Sequence, residues 1–206
     1  MQFEPGDRRR VLPRHLRPAP APEVFSYTIR AARPADLPHV REIYNHFVSN
    51  SAVTLDEKRS SIPAWREKLA LLDRLNLPFL VAVSPAGVVL GYALAQPWAA
   101  KNAYRYTVED SIYLGPGAGG KGLGAALLQA VIEACERRGI REMVAVISDR
   151  GAEASIRLHA RLGFVEAGRM SGVGRKFGRE LGTVYMKRRL RPSAGPRRLL
   201  PRLRGH

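Results

Sequence analysis

Apolar residues recur along this chain with two spacings, one typical of helices and the other typical of strands. Between positions 40 and 48 they fall at i, i+3, i+4, i+7 and i+8, which places them on one face of a helix. Asp36 is positioned as an N-cap, Pro63 lies near a first turn, and Gly163 follows a last turn. The pattern predicts helices at 36–50, 63–75, 122–138 and 155–162.

Short runs rich in valine, isoleucine and aromatic residues predict the strands. They cover residues 79–83, 88–96, 106–114, 142–147, about 163–171 and 182–190. The turn over residues 84–87 joins the first two strands as a hairpin. Helices and strands that alternate in this way predict an α+β fold, in which three layers (α/β/α) place helices on both faces of a mixed sheet.

The stretch from residue 106 to residue 124 carries the most chemical information. Its strand leads into a turn in which six of the ten positions from Gly115 to Gly124 are glycine. Glycines let backbone N–H groups converge on one concavity, and the following helix adds N–H donors and a partial positive charge. This arrangement predicts a seat for a pyrophosphate. Glu109 and Asp110 lie just upstream, so we expect group transfer from a phosphate-bearing cofactor.

The loop sequence discriminates between kinds of nucleotide site. Residues 120–125 lack the third glycine of a dinucleotide-binding turn, and Lys121 stands between two glycines, unlike the lysine of a triphosphate loop. The stretch resembles instead the pyrophosphate loop of the GNAT acyltransferases, roughly [QR]-x-x-G-x-[GA], with Gly122 and Gly124 at the glycine positions. Gly119 occupies the first position, where the family has Gln or Arg.

The resemblance covers about residues 27–190 and is strongest to the phosphinothricin acetyltransferase branch, which also includes enzymes for methionine sulfoximine and methionine sulfone. The matching motifs occur in the family's order and spacing at residues 97–98, 102–104, 107–113, 155–159, 162–164, 176–179 and 183–186. The resemblance implies a GNAT-like, mixed and mostly antiparallel sheet, acetyl-CoA as co-substrate, no metal, and a homodimer. It also implies N-acetylation of a small-molecule amine by direct attack on the thioester.

The same resemblance implies roles for individual residues. Glu109 corresponds to the general base for the substrate amine, directly or through a water; the alternative is that it only orients the ammonium. The backbone N–H of Leu114 is expected to stabilise the tetrahedral intermediate, and Ile112, Tyr113 and Leu114 are expected to pair with the pantetheine arm. The remaining cofactor contacts are expected from Gly119, Gly120, Lys121, Gly122, Leu123, Gly124, Ala125 and Ser155.

Other polar candidates lie on the predicted helices. His159 matches a histidine that has been considered catalytic in this branch, and a hydrogen-bonded packing residue is the alternative. Ser155 is placed to cap its helix and to reach the cofactor, while Ala152 stands where relatives have Asn. Asn45 and His46, near the end of the first helix, are interpreted as surface polar residues.

Substrate contacts are expected from the predicted strand at 106–114 and from the segment just before it: Lys101, Tyr104, Glu109, Asp110 and Ser111. A carboxylate or phosphinate on the substrate needs a cation. Lys101 and Arg105 are available, although Ala99 replaces a residue that is basic in relatives. The alternative for both cations is a solvated strand edge.

The formal net charge of +16 is concentrated in the tails. Residues 187–206 carry eight Lys and Arg and no acid, and residues 1–25 carry a net charge of +2. Tails rich in Pro and Arg are expected to be disordered. The chain therefore divides into an N-terminal extension (1–25), a GNAT domain (26–190) and a C-terminal tail (191–206). The tails either solubilise the protein or attract nucleic acid and anionic surfaces weakly.

A single cysteine, the lack of an apolar run near the ~20 residues of a membrane span, and the lack of an apolar leader predict one cytoplasmic domain. Cys135 is expected to pack in the core. Two other functions stay open at this point. One is a protein N-acetyltransferase, and the other is a non-catalytic acetyl-CoA sensor or nucleic-acid-binding module.

Overall fold

The computed structural model describes residues 25–192, which form a seven-stranded sheet and four α-helices. The helices are α1 (Leu37–Asn50), α2 (Ile62–Leu75), α3 (Leu123–Arg137) and α4 (Glu153–Arg161). The strands are β1 (Thr28–Ala31), β2 (Phe79–Val83), β3 (Val89–Pro97), β4 (Thr107–Leu114), β5 (Glu142–Ser148), β6 (Val165–Lys176) and β7 (Arg179–Arg189). The predictions for the two tails lie almost entirely outside the described residues.

The strands follow the order β1-β2-β3-β4-β5-β7-β6, and neighbours pair antiparallel except β4 with β5. The predicted mixed, mostly antiparallel sheet is thus confirmed. The parallel pairing of β4 with β5 runs only from Thr107↔Glu142 to Glu109↔Val144. Beyond these pairs the two strands separate, and the sheet opens at its centre.

Helices cover both faces of the sheet, as the apolar pattern predicts. On one face, α1 and α2 bury Val40, Ile43 and Trp65, and the indole ring meets Tyr92 of β3 edge-on with ring centroids 5.5 Å apart. On the other face, the stripe on α3 is fully buried against the sheet: Leu123, Leu127, Val131 and Cys135. The expected burial of the single cysteine is confirmed.

Two expected helix caps are wrong. Asp36 precedes α1, but its carboxylate accepts two hydrogen bonds from Arg30 at 2.7 and 2.8 Å and one from the Arg33 N–H at 2.7 Å. Its backbone is already helical, whereas a capping residue needs an extended backbone. Ser155 does not begin α4, because the helix starts at Glu153 and has Ala152 at its N-cap.

The C-terminal hairpin of β6 and β7 is longer than the sequence pattern indicates. Its turn contains Phe177 in the left-handed region, at φ 51°. Within residues 25–192, none of the helices is long and apolar enough to cross a membrane. The same residues hold no cluster of His, Cys, Asp and Glu that could bind a metal ion.

Candidate active site

A cleft of about 610 Å³ occupies the opening between β4 and β5. One of its walls comes from β4 between Glu109 and Leu114, and the opposite wall comes from β5 between Ala145 and Ser148. The α1/α2 layer closes one end and α4 with the start of α3 closes the other. The cleft therefore passes through the sheet and connects its two faces.

Alternation along β4 divides this cleft into two halves, because successive side chains of a strand point to opposite faces. Glu109 pairs with Gln96 across the sheet and faces α2. Asp110 faces α4, where its Oδ2 lies 3.0 Å from Nε2 of His159. The two acidic residues that are adjacent in sequence thus serve different halves of the cleft.

The backbone of β4 offers an unpaired edge to the opening. The Gly115 N–H donates to Leu90 O on the β3 side at 2.8 Å, whereas Tyr106 O accepts from Glu142 N on the β5 side. Since N–H groups alternate along a strand, those of Ile112 and Leu114 point towards β5, beyond the last β4–β5 pair. An extended amide-containing chain could pair with this edge as an added strand.

The glycine-rich loop leads directly to the N-terminus of α3. Gly122 is the N-cap at φ 78°, a conformation that L side chains rarely adopt, and no side chain caps the helix among the described residues. Cβ atoms added at Gly119, Gly120 or Gly122 would meet no atom within 4 Å, so these positions border open space. Uncapped N–H groups beside open space form a site suited to an anion such as a pyrophosphate.

Other expected cofactor residues are placed less directly. Lys121 is exposed and its Nζ lies over the ring of Phe25, 4.6 Å from the centroid. The side chain of Leu123 is buried in the core, which leaves only its backbone for a ligand. Gly124 and Ser155 line the cleft, and Ala125 follows in the first turn of α3.

Glu109 is half-buried where the strands separate. Burial raises the pKa of its carboxyl above the ordinary value of 4.5, and the neighbouring charge of Asp110 acts in the same direction. The ammonium of Lys68 and a hydrogen bond with Gln96 partly oppose this rise. A carboxylate with a raised pKa is a stronger base than one in water, which is what proton removal from an amine demands.

Asp110 and His159 form a buried ion pair below the opening, and each side chain is 2% exposed. The His159 Nδ1–H donates to Ser155 O at 2.8 Å, since a carbonyl oxygen can only accept, and the Nε2–H donates to Asp110. Although burial lowers the pKa of His159, the bonds with Asp110 and Ser155 raise it overall, which favours the imidazolium. Both ring nitrogens are occupied, and this supports the packing alternative.

A loop over residues 51–61 closes the α1/α2 end of the cleft. Asn45 is buried, with its amide donating to Ser60 O at 3.0 Å and accepting from Ser60 N at 2.7 Å. Its interpretation as a surface residue is therefore wrong, whereas His46 is exposed. The buried Lys176 ammonium at the tip of β6 donates to Thr54 O at 2.8 Å and fastens the same loop.

Several cleft residues have no counterpart among those singled out from the sequence. They lie on the α1/α2 side: Tyr44, Thr54, Trp65, Lys68, Tyr92 and Gln96. The spacing of Trp65 and Lys68 puts them on one side of a predicted helix, but no sequence signal shows that this side faces Glu109.

Two expected substrate residues lie elsewhere. Lys101 and Tyr104 are exposed and line a separate, smaller depression with Leu75, Pro97 and Thr107. Glu109, Asp110 and Ser111, by contrast, all line the central cleft. The structure thus brings three of the five expected substrate residues together, and a role for the other two stays a prediction.

Polar groups in the cleft lack partners within the protein. Four buried side-chain atoms that make no hydrogen bond within residues 25–192 belong to residues lining it: Trp65 Nε1, Tyr92 Oη, Asp110 Oδ1 and Thr183 Oγ1. Buried polar atoms are normally paired. Their concentration around one cleft indicates a place where bound molecules complete the hydrogen bonding.

The chain is similar to known proteins along most of its length. It is 43% identical over 172 residues to the L-methionine sulfoximine/L-methionine sulfone acetyltransferase of Pseudomonas aeruginosa, covering 82% of this chain and 98% of that protein. It is 41% identical over 163 residues to the phosphinothricin N-acetyltransferase of Alcaligenes faecalis, covering 79% of this chain and 82% of that protein.

A solved structure shares this fold. The acetyltransferase of Salmonella typhimurium in complex with acetyl-CoA superimposes with a TM-score of 0.77 at 40% identity, covering 83% of this chain and 98% of that one. The sequence profile of the acetyltransferase (GNAT) family matches residues 39–164. The chain therefore belongs to the acetyltransferase (GNAT) family and is an acetyl-CoA-dependent N-acetyltransferase.

Proposed function

We propose that this enzyme moves the acetyl group of acetyl-CoA to the primary amine of a small amino acid analogue of the phosphinothricin, methionine sulfoximine or methionine sulfone type. The observation that carries the proposal is the position of Glu109, which is half-buried at the point where β4 and β5 separate. Its raised pKa suits it to take a proton from an amine. The names of the relatives support the substrate class.

The half of the cleft that α3 and α4 line has features that fit acetyl-CoA. The uncapped N-terminus of α3 and the open loop from Gly119 to Gly122 would hold the pyrophosphate. The outward-facing backbone of Ile112 and Leu114 would pair with the pantetheine amides. Gly124 would let the chain pass close to the helix, since a Cβ there would already lie 3.4 Å from Leu158. Acetyl-CoA would supply an acetyl thioester, whose carbonyl carbon would bond to the amine nitrogen as the C–S bond breaks. CoA would leave as the free thiol, with the second proton that the nitrogen loses when the amide forms.

Each protein group then has a separate task. Glu109 removes the proton from the substrate ammonium, directly or through a water. The Leu114 N–H points into the opening and would donate to the oxygen on which negative charge develops. Asp110 and His159 lie under the opening and bond to each other through Oδ2 and Nε2, so we assign this bond to holding β4 and α4 in place, while Asp110 Oδ1 stays available to a bound molecule.

The shape of the α1/α2 half favours a small substrate over a protein. The loop over residues 51–61 covers this end and is fastened by Asn45 and Lys176. The aromatic rings of Tyr44, Trp65 and Tyr113 line this end of the cleft and pack edge-on against one another. A cleft of this size matches ordinary small-molecule sites of about 300–1,000 Å³, whereas a polypeptide would need an open groove.

Free-CoA release from acetyl-CoA tests the proposal with a panel of phosphinothricin, methionine sulfoximine, methionine sulfone and the common amino acids. We expect turnover on at least one of the three analogues. Turnover only on peptides or protein N-termini would transfer the assignment to protein acetylation. Tight acetyl-CoA binding in calorimetry without turnover on any amine would instead support a sensor.

We further propose that the enzyme works as a homodimer in the cytoplasm. β6 is an edge strand, and its Val165, Met170 and Val173 are 60%, 45% and 52% exposed, which is typical of an edge that a second chain covers. The cytoplasm is where acetyl-CoA is available. A monomer mass in light scattering, or fractionation of the protein outside the cytoplasm, would contradict these assignments.

The charge of the tails supports a weak attraction to nucleic acid or other anionic surfaces, because residues 191–206 carry five Arg and no acid. Retention of the full chain on heparin should then exceed that of residues 25–192 and fall with added salt. Equal retention of both proteins would rule the attraction out.

A further inference from the structure

Lys68 is a cation in the cleft that makes no salt bridge with the described residues, although the charges of Glu109 and Asp56 act on it from a greater distance. It lies on α2, and its Nζ donates to Gln96 Oε1 at 3.3 Å and sits 5.5 Å from the ring centroid of Trp65. Within residues 25–192, none of the carboxylate oxygens comes within 4.0 Å of this ammonium. The direct contacts of this half-buried ammonium are a neutral amide and an aromatic ring, while the carboxylates of Glu109 and Asp56 act on it only from beyond salt-bridge distance, so its charge is incompletely compensated.

Two neighbouring groups on this side of the cleft can donate a hydrogen bond and have no partner within residues 25–192. The indole N–H of Trp65 and the hydroxyl of Tyr92 are buried without partners, and their rings pack together next to Lys68. Burial lowers the pKa of Lys68 by more than the charges of Glu109 and Asp56 raise it, so the nearby carboxylates do not fully offset the cost of holding an ammonium there. A bound anion would offset this cost and give the donors an acceptor.

Lys68 and Glu109 are held side by side by one residue. Gln96 accepts from Lys68 and is also the cross-strand partner of Glu109, so all three lie on the same face of the sheet. An α-amino acid carries its carboxylate on the carbon that bears the amine. A molecule whose amine meets Glu109 therefore brings its α-carboxylate towards Lys68, whereas a phosphinate or sulfone at the far end of the side chain lies several bonds further away.

We propose that Lys68 binds the α-carboxylate of the substrate and makes the enzyme selective for amino acids over simple amines. This inference rests on the proposed function and adds its recognition element. Lys68 would then be the cation for the substrate anion that the sequence led us to expect at Lys101 or Arg105. Those two residues line the separate depression and not the central cleft.

The test compares methionine sulfone with its decarboxylated analogue, 3-(methylsulfonyl)propylamine, because the two differ only in the carboxylate. We expect the wild-type enzyme to prefer the amino acid by at least about tenfold in kcat/KM. Lys68→Met keeps the length of the side chain and removes its charge. It should raise KM for methionine sulfone by about 10- to 100-fold, as loss of a charge-assisted hydrogen bond implies, and leave KM for the analogue nearly unchanged. Both enzymes are compared at a pH above the titration of Glu109, because loss of the Lys68 charge raises the pKa of that carboxyl further.

Arg66→Met provides a matched control, because Arg66 is exposed on the same helix. Binding of N-acetylmethionine sulfone in calorimetry gives a readout independent of turnover and should weaken in Lys68→Met but not in Arg66→Met. Equal KM changes for both substrates, or no change for either, would overturn the role of Lys68.

Failure of the proposed function has a different signature, since neither substrate would then be turned over by the wild type. In that case calorimetry with N-acetylmethionine sulfone tests the role of Lys68. Equal affinity of wild type and Lys68→Met for this ligand overturns the inference. If Lys68→Met fails to fold, the wild-type comparison is sufficient: equal kcat/KM for the two substrates excludes a carboxylate receptor.

Discussion

Glu109→Gln is expected to lower kcat/KM by a factor of about 10² to 10⁴ near neutral pH, the usual contribution of a positioned general base. Glutamine has the same shape as glutamate and can still bond to Gln96, but it cannot accept a proton from the substrate ammonium. The wild-type kcat/KM should rise with pH as Glu109 deprotonates, with a midpoint above 4.5, because burial and the charge of Asp110 raise this pKa. The kcat/KM of Glu109→Gln should not show this rise with pH.

Two controls separate chemistry from binding in this experiment. Acetyl-CoA affinity in calorimetry should be unchanged in Glu109→Gln, because the cofactor lies along the other half of the cleft. Glu133→Gln, at an exposed position on α3, should leave the kinetics unchanged. A Glu109→Gln enzyme with wild-type turnover on a good substrate would show that the base is another group.

The second large effect concerns stability. Asp110→Ala removes one partner of a buried pair whose side chains are each 2% exposed. Such changes typically cost about 3–5 kcal/mol of unfolding free energy, because the remaining group stays buried without compensation. We expect the largest loss at mildly acidic pH, where His159 is charged in both the folded and the unfolded chain.

The pH dependence follows from the direction of the shift. The pKa of His159 is raised above its ordinary value of 6.5 in the folded protein. The stabilisation is therefore complete below 6.5 and is lost as pH rises through the folded-state pKa. Asp110→Asn keeps the shape of the side chain and removes its charge, so its stability should lack this decline.

Urea unfolding of wild type, Asp110→Ala and Asp110→Asn between pH 5.5 and 9 measures both effects. NMR of the histidine ring protons should place the titration of His159 above 6.5 in the wild type and lower in Asp110→Asn. Parallel stability curves for wild type and Asp110→Asn would mean that Asp110 and His159 do not form an ion pair in the folded protein.

Local patterns in the sequence were sufficient for the elements of the fold. The stripes on α1 and α3 and the runs that become β2 to β5 depend on residues three or four apart, or on alternation, and both follow from backbone geometry. The phosphate-binding character of the loop is equally local, because it depends on consecutive glycines before a helix. The structure confirms these elements to within about two residues at most boundaries.

The parts of the site that the sequence did not reveal depend on contacts between distant segments. Asn45 reaches Ser60 across 15 residues, and Lys176 reaches Thr54 across 122. No periodicity encodes such contacts. The contact between Asp110 and His159 on α4 could not be predicted for the same reason. Alternation along β4 shows only that Asp110 lies on the face opposite Glu109. Lys101 lies outside the central cleft, just before the 3₁₀ turn at Asn102–Tyr104, and lines the separate depression.

The alternation of β4 also has a consequence for how this enzyme can change. A single inserted or deleted residue within the first part of the strand would exchange its two faces. The base would then point at α4, and the partner of His159 would point at the substrate. This segment can therefore be varied by substitution but not in length. A scan of one-residue insertions should find β4 intolerant, while the turn over residues 84–87, which does not line the cleft, should accept them.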